Sequence, residues 1–430
     1  MAKELAKRTK FLSYLVLEEL NTDPDSSIYK FYKAFQEELI PSLNTEHFAD
    51  MYSQTITYGL FSARIRAKEN EFSRITAYKY IPSTIPLLRS LFYYITGYDL
   101  PESLEWVIDG ITDVLSSTDI SSILKEFHTT KWTDDPVIHF YETFLQVYNP
   151  KEREKRGVYY TPAPVVSYIV HSIHEILKKE FNKSDGLVDR TITLLDPAAG
   201  TLTFPATAIR LCKQELQEKG KQGLFNQLVK EHILKNFYAF ELMVAPYAIG
   251  HLKISIVLDD LGYKLGKDER FNLYLTNTLE VKDIKQVDMP FISDLAKEGI
   301  AAKEVKDRIP ILVILGNPPY SVSSDNKSEF IEDLMKTYKE DVKGERNIQP
   351  LSDDYIKFIR FAQWKIEKGG LGIAGMITNN SYLSGLIHRG MRKKLMMSFD
   401  KIYILNLHGN SRIAETCPDG SKDENVFDIM

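Results

Sequence analysis

Ile309-Pro310-Ile311-Leu312-Val313-Ile314-Leu315-Gly316-Asn317-Pro318-Pro319-Tyr320 is an apolar run that stops at two prolines held between an asparagine and a tyrosine. Ile311 to Leu315 reads as a buried strand, and its end carries an unusual set of groups. An amine conjugated to an aromatic ring or a carbonyl is a poor nucleophile, because its lone pair is delocalised. Acceptors placed tetrahedrally around the nitrogen favour a pyramidal amine with a free lone pair. The Asn317 side-chain oxygen and the Pro318 carbonyl are two such acceptors. Pro318 and Pro319 lack an N–H and have a fixed φ, which holds the carbonyls in a rigid turn. Tyr320 offers a flat face for a planar acceptor. The stretch suits methyl transfer to a conjugated amine.

Strands alternate with helices on both sides of this run. Val188 to Leu195 reads as a strand ending at Asp196, followed by helices over 203–218 and 222–235. Phe237 to Phe240 is a short strand ending at Glu241, and Pro246 to Leu258 is helical. Phe271 to Leu275 is strand-like, a helix spans 353–367, Gly369 to Ile377 leads into a strand, and Lys401 to Leu407 reads as another. Alternation of this kind implies a mostly parallel, doubly wound sheet. Ligands bind beyond the carboxyl ends of the strands in such sheets. Asp196, Glu241, Asn277 and Asn317 each follow a strand and are expected to converge on one crevice.

Residues 1–148 have a different pattern. Phe48, Met51, Tyr52, Thr55, Ile56, Gly59, Leu60 and Ala63 share one face at helical spacing after Asn44-Thr45-Glu46. Further helices are expected near 3–20, 27–40, 84–97, 102–117 and 136–148, with no repeat period. Asn149-Pro150 and the charged stretch Lys151 to Arg156 end this all-α part. The division is therefore a helical domain over 1–148 and an α/β domain over 149–430.

Composition bounds the class. The 430 residues, 43% of them hydrophobic, can build two or three cores. A net charge of −5 gives no general attraction for nucleic acid, though a local basic cleft is compatible with it. The 2 cysteines, Cys212 and Cys417, lie far apart without partners at ligand spacing, which argues for a reducing compartment and against a zinc site. The basic N-terminus precedes an amphipathic helix rather than a signal peptide. No apolar run approaches the roughly 18 residues of a membrane span. A cytoplasmic protein with no membrane partner is expected.

Asp196-Pro-Ala-Ala-Gly200-Thr201 turns from strand to helix, and its glycine lets backbone approach a ligand closely. An ordinary strand-to-helix turn is the competing reading. It matches neither the dinucleotide glycine pattern nor a phosphate loop, so neither NAD nor ATP is indicated. Glu241 can accept from ribose hydroxyls, or it can be an exposed strand-end acid. Asn277 can read an adenine ring. Gly157-Val-Tyr159-Tyr160-Thr161-Pro162 precedes the helix from Pro164 to Lys179. Thr161 can cap that helix, and the tyrosines can pack on a flat cofactor or simply on the core.

These motifs together resemble the gamma class of amino-methyltransferases of DNA. Gly157–Pro162, Leu195–Gly200, Phe240-Glu241 and Asn317–Tyr320 occur in that order. The likeness is strongest to the methylase portion of large single-chain restriction–modification enzymes of the Type ISP and Type IIG kinds. Phe140–Leu145 through Arg156 resembles the lead-in to their methylase domain, and Phe48–Tyr52 through Ala63 resembles their helical coupler. The resemblance implies a Rossmann-like S-adenosylmethionine-dependent methyltransferase sheet preceded by an all-α domain. It implies S-adenosylmethionine as cofactor, no metal, and DNA as partner, with the N6 amine of a flipped adenine as acceptor. By resemblance, Tyr159, Tyr160 and Thr161 contact the cofactor near its methionine part. Asp196, Ala198 and Gly200 line it, Glu241 holds its ribose, and Asn277 its adenine. Asn317, Pro318, Pro319 and Tyr320 bind the target base. Phe427 resembles the aromatic residue that covers the base from the other side, or is a core residue of a late strand.

Two departures carry expectations of their own. Leu202 stands where relatives carry a second glycine; its side chain disfavours a positive φ and predicts a loop seated differently. Met430 follows shortly after Asn425-Val-Phe-Asp428, where relatives continue into a last strand and a target-recognition domain. A partner chain, or a C-terminal domain absent here, is expected to supply recognition. Arg389, Arg392, Lys393 and Lys394 are candidate phosphate contacts or a solvated helix face. The same Asn-Pro-Pro-Tyr chemistry would serve cytosine N4, an RNA base or a protein glutamine. A non-catalytic assembly or DNA-binding subunit is the remaining class.

Overall fold

The computed structural model describes residues 1–67, 72–95, 100–119, 136–148, 161–281, 290–409, 415–423 and 425. Five parallel strands form its sheet: β1 (Leu194–Asp196), β2 (Phe237–Glu241), β3 (Asn272–Leu275), β4 (Val313–Gly316) and β5 (Ile373–Met376). Their order is β3-β2-β1-β4-β5. The chain walks outward from β1 to β3 and then crosses back to β4, so strand order reverses between β1 and β4. That reversal opens a crevice at the carboxyl ends. Leu194 lies opposite Phe237 on one side and Val313 on the other. All three residues of β1 are buried, as expected for a central strand of a parallel sheet covered on both faces.

Both faces carry a core. One contains Ile314, Phe240, Ile331, Tyr338, Tyr355 and Phe361. The other contains Leu194, Phe237, Leu273 and the helix Val244–Asp260, and continues into the N-terminal helices. The helices Ala2–Thr22, Ser27–Glu38, Thr45–Arg66, Pro86–Ile95, Glu102–Ser116 and Pro136–Tyr148 stand where the spacing predicts them. The Asn44 side chain accepts from the His47 N–H at 2.8 Å and so starts the third of them. That helix is buried nearly all round, between Ala2–Thr22 and Val244–Asp260. Some of its buried hydroxyls are paired, as Thr57 is with Thr9 at 2.7 Å and Thr55 with the Met51 carbonyl at 2.7 Å. The helical part and the sheet thus share one core. The expected boundary at 148–149 adjoins residues 149–160, which lie outside those described.

Several expectations need correction. The strand expected from Val188 begins only at Leu194, because Gly186–Val188 forms a 3-10 turn. The helix expected over 222–235 is interrupted by a π-helical turn, Val229–Ile233. Lys401–Leu407 is not a strand. Its consecutive residues Ile402, Tyr403, Ile404 and Leu405 are all exposed, so it has no single face to bury. No described strand pairs with its backbone. The helices Pro290–Asp307 and Glu329–Lys339 were not expected and lie between β3 and β5. No described helix is long and apolar enough to cross a membrane.

Candidate active site

Asp196 ends β1 fully buried. Its Oδ1 accepts the Ala198 N–H at 3.2 Å, whereas its Oδ2 is buried with no partner. Burial pushes this carboxyl up to about 8; the Ala198 amide pulls against that rise and the Glu241 charge adds to it. Gly316, the last residue of β4, lies against it. A Cβ at position 316 would stand 2.7 Å from Asp196 Oδ1, so only glycine lets the two strand ends come this close.

The loop after Asp196 is held from β2. The Ala199 N–H donates to the Phe240 carbonyl at 2.9 Å. Gly200 adopts φ +51°, with open space where a side chain would stand. Its N–H donates to Glu241 Oε2 at 2.8 Å, while the Leu242 and Met243 N–H groups donate to Oε1 at 2.9 and 2.8 Å. Burial lifts the Glu241 carboxyl to about 7 against the pull of these amides. Leu202 takes φ +64° despite its side chain. Room for that side chain comes from Gly250, where a Cβ would lie 3.1 Å from Leu202 Cγ. The loop therefore keeps its left-handed turn, with strain of order 1–3 kcal/mol offset by burial of the leucine.

Asn317 follows β4. Its Nδ2 donates to Thr161 Oγ1 at 3.2 Å, and its Oδ1 accepts from the Tyr320 hydroxyl at 3.0 Å. Thr161 does not cap the following helix, Ala163–Glu180, whose N-cap is Pro162. Its hydroxyl instead joins two motifs 156 residues apart. Pro318 is buried and Pro319 half-buried. The Tyr320 ring lies 5.7 Å from that of Tyr355, tilted by 33°. Burial, with the nearby Tyr355 and Asp353, lifts the Tyr320 phenol well above its usual range.

Sequence reasoning missed the groups that hold the segment after Tyr320. Asp353 Oδ1 accepts the Ser321 N–H at 2.8 Å. Asp354 Oδ1 accepts from Ser324 Oγ at 2.6 Å and Asn326 Nδ2 at 2.9 Å. Lys357, fully buried, donates to Ser324 Oγ at 3.1 Å and to the Asn326 carbonyl, and pairs with Glu332 at 3.2 Å. Two adjacent acids opening a helix with a lysine one turn on was the available signal. Asn277 is also a fastener: its Oδ1 accepts the Leu279 N–H and its Nδ2 donates to Asn326 Oδ1, both at 3.0 Å.

The four basic candidates are engaged within the chain. Arg389 pairs with Glu345 at 2.9 Å, Lys393 with Asp341 at 3.1 Å and Lys394 with Glu340 at 3.5 Å. Arg392 Nη1 donates to the carbonyls of Tyr382 and Gly385 at 2.7 and 2.8 Å. Tyr159, Tyr160 and Phe427 lie outside the described residues.

The N-6 DNA methylase family model matches residues 133–405, more than half of the chain. The chain belongs to the N-6 DNA methylase family. Its fold is also that of much larger solved proteins. A nuclease-deletion mutant of the Type ISP restriction–modification enzyme LlaGI, in complex with a DNA substrate mimic, superposes with a TM-score of 0.70 at 24% identity, over 96% of this chain and 32% of that one. The ATP-dependent Type ISP enzyme LlaBIII bound to DNA gives 0.71 at 24%, over 98% and 27%. The DrdV–DNA complex gives 0.68 at 23%, over 96% and 38%. This chain thus spans about a third of the length of these three structures. No curated protein matches it. The methylase brings Thr161 to Asn317, Gly316 to Asp196 and Gly200 to Glu241, which joins the carboxyl ends of β1, β2 and β4.

Proposed function

We propose that this methylase transfers a methyl group from S-adenosylmethionine to the N6 amine of an adenine flipped out of DNA. It would serve as the methylating core of a restriction–modification or phage-defense system. The observation that carries this reading is Asn317, which closes β4 with its amide oriented by Thr161, directly beside the buried end of β1.

The residues present suit the cofactor. Asp196 Oδ2 is a buried oxygen without a hydrogen-bond partner among the described residues, and Gly200, in the same loop, has open space where a side chain would stand. Glu241 Oε1 already accepts two amides and Oε2 one. With two lone pairs per oxygen, Glu241 has capacity for one ribose hydroxyl at Oε2 rather than for both. Tyr160 and Thr161, with Tyr159, complete the methionine end in this reading, and Ala198 lines the wall. Asn277 bounds the adenine end, and its committed amide makes it a support for that wall rather than a free donor. S-adenosylmethionine, when bound, supplies a methyl group on a sulfonium that leaves as the thioether.

The chain's own residues prepare the acceptor. Asn317 Oδ1 and the Pro318 carbonyl accept the two hydrogens of the target amine and draw its lone pair out of conjugation. Pro319 keeps that turn rigid, Tyr320 stacks on the base, and Phe427 covers its other face. With S-adenosylmethionine held by Asp196, Gly200 and Glu241, transfer would exchange its S–CH₃ bond for an N–CH₃ bond on the amine held by Asn317 and Pro318, and one amine proton would leave to solvent. Positioning and acceptor bonds supply the rate. Base flipping is needed because the amine is unreachable in the stack. Residues 149–430 form the methylase domain and 1–148 a helical coupler-like domain, in the cytoplasm where DNA is available. A partner chain or further domain reads the target, since the basic residues of Arg389–Lys394 are already engaged and sequence is read by base contacts.

The test is transfer of labelled methyl to unmodified genomic DNA, followed by nucleoside digestion. Label in N6-methyladenine is the expected result, weak for this chain alone and strengthened when the partner chain or domain that reads the target is supplied. Asn317→Ala should lower it by roughly 10²–10³-fold, the scale of losing one transition-state hydrogen bond, with cofactor binding almost unchanged. Full activity in Asn317→Ala, or label in another nucleoside or in protein, overturns the reading.

A further inference from the structure

The turn Thr276–Glu280, which follows β3, touches both halves of the site. Thr278 Oγ1 donates to the Pro197 carbonyl at 2.5 Å, in the loop after β1. Asn277 Nδ2 donates to Asn326 Oδ1 at 3.0 Å, and the Leu279 carbonyl accepts from Ser328 Oγ at 2.5 Å, both in the segment after Tyr320. The turn itself is held by one side chain. Lys306 Nζ donates to the Asn277 carbonyl at 2.7 Å, the Glu280 carbonyl at 2.9 Å and Thr276 Oγ1 at 3.0 Å. It also lies 5.2 Å from the centre of the Phe240 ring on β2.

Lys306 is only 2% exposed. Burying an ammonium costs several kcal/mol unless its donors are met. Here three acceptors from an irregular turn converge on the three donors of one ammonium. The helix that carries it, Pro290–Asp307, is held at the same end by a second buried lysine. Lys365 Nζ donates to the carbonyls of Val305 and Lys306 at 2.6 and 2.5 Å. The two amines form a chain of support from the helix Asp354–Gly369 to the turn after β3.

We propose that Lys306 is a positioning residue of the methylase: it locks Thr276–Glu280 as a bracket that keeps the loop after Asp196 and the segment after Tyr320 in register. The proposal rests on the reading of the first as the cofactor loop and of the second as part of the target-base side. In-line transfer requires donor carbon and acceptor nitrogen to be held together, and a small misplacement is costly. Lys306 touches neither reactant and acts through the bracket.

The deciding experiment is amide hydrogen exchange on the full chain carrying Lys306→Met, which needs no ligand. Exchange should quicken tenfold or more in peptides covering 197–202 and 321–328 as well as in 276–280, while β1 and β4 keep their protection. Quickening confined to 276–280 and the helix Pro290–Asp307, or a uniform loss across the sheet, overturns the proposal. Thr276→Val removes a single one of the three bonds and serves if Lys306→Met does not fold. It should loosen the same two loops to a smaller degree, and a change in neither overturns the proposal equally. Calorimetric titration with S-adenosylhomocysteine provides a second readout, with affinity falling fivefold or more in Lys306→Met. Absence of binding to the unaltered chain would count against the cofactor reading, while the exchange pattern would still decide the role of Lys306.

Discussion

The two carboxyl groups at the strand ends set a measurable pH dependence. Burial holds Asp196 at about 8 and Glu241 at about 7 in the folded chain, against roughly 4 for either acid in an unfolded chain. Between those values the folded chain holds more protons than the unfolded one. Stability should therefore fall as pH rises through about 4 to 8, by at most about 1.4 kcal/mol per pH unit for each group. Thermal unfolding from pH 5 to 8.5 tests this, and Asp196→Asn should flatten the slope. Leu202 gives a second test at this scale. Leu202→Gly relieves a positive φ worth of order 1–3 kcal/mol, but it empties a fully buried site where truncation costs roughly 2–5 kcal/mol. The cavity should win, leaving the variant about 2 kcal/mol less stable in urea denaturation. Leu202 shows why residue-level reading falls short. Its unfavourable backbone was legible, but the space at Gly250 that accommodates it is 48 residues away and invisible in sequence.

At the scale of elements, period and punctuation were sufficient where an element meets its partners in a regular way. Asn44 starts a helix as its residue type predicts, and β4 stops where Asn317-Pro318 must stop it. Legibility failed where a third party decides the outcome. Lys401–Leu407 has strand composition but no neighbour among the described strands. The helix Pro290–Asp307 has only a weak apolar stripe, and it is secured by Lys365 at its end. The motifs were legible as sequence, and the joints between them were not: Thr161 looked like a cap and proved to be the partner of Asn317. Helix propensity is likewise overridden at a crossing. Gly59 lies within Thr45–Arg66, where alanine would ordinarily stabilise by about 1 kcal/mol. A Cβ there would stand 2.1 Å from two atoms of the Phe92 ring. Gly59→Ala should therefore destabilise by roughly 1–3 kcal/mol, seen as a lower denaturation midpoint at unchanged m-value.

For the whole molecule, the shared core is the governing fact. The helix Val244–Asp260 is buried on nearly every side, and one of its walls is Thr45–Arg66. Residues 149–430 expressed alone should expose that wall and aggregate or bind a hydrophobic dye, whereas the full chain should melt in one transition. A soluble, cooperatively folded 149–430 fragment would contradict this. The same geometry has a consequence for birth on the ribosome. Thr45–Arg66 emerges roughly 180 residues before the helix that covers it, and at about 5–20 residues per second that is a wait of about 10–40 s. During that interval the face of Thr45–Arg66 that packs on Val244–Asp260 has its covering helix still unmade, so the early helices depend on one another, or on a chaperone, to stay out of trouble until the sheet arrives.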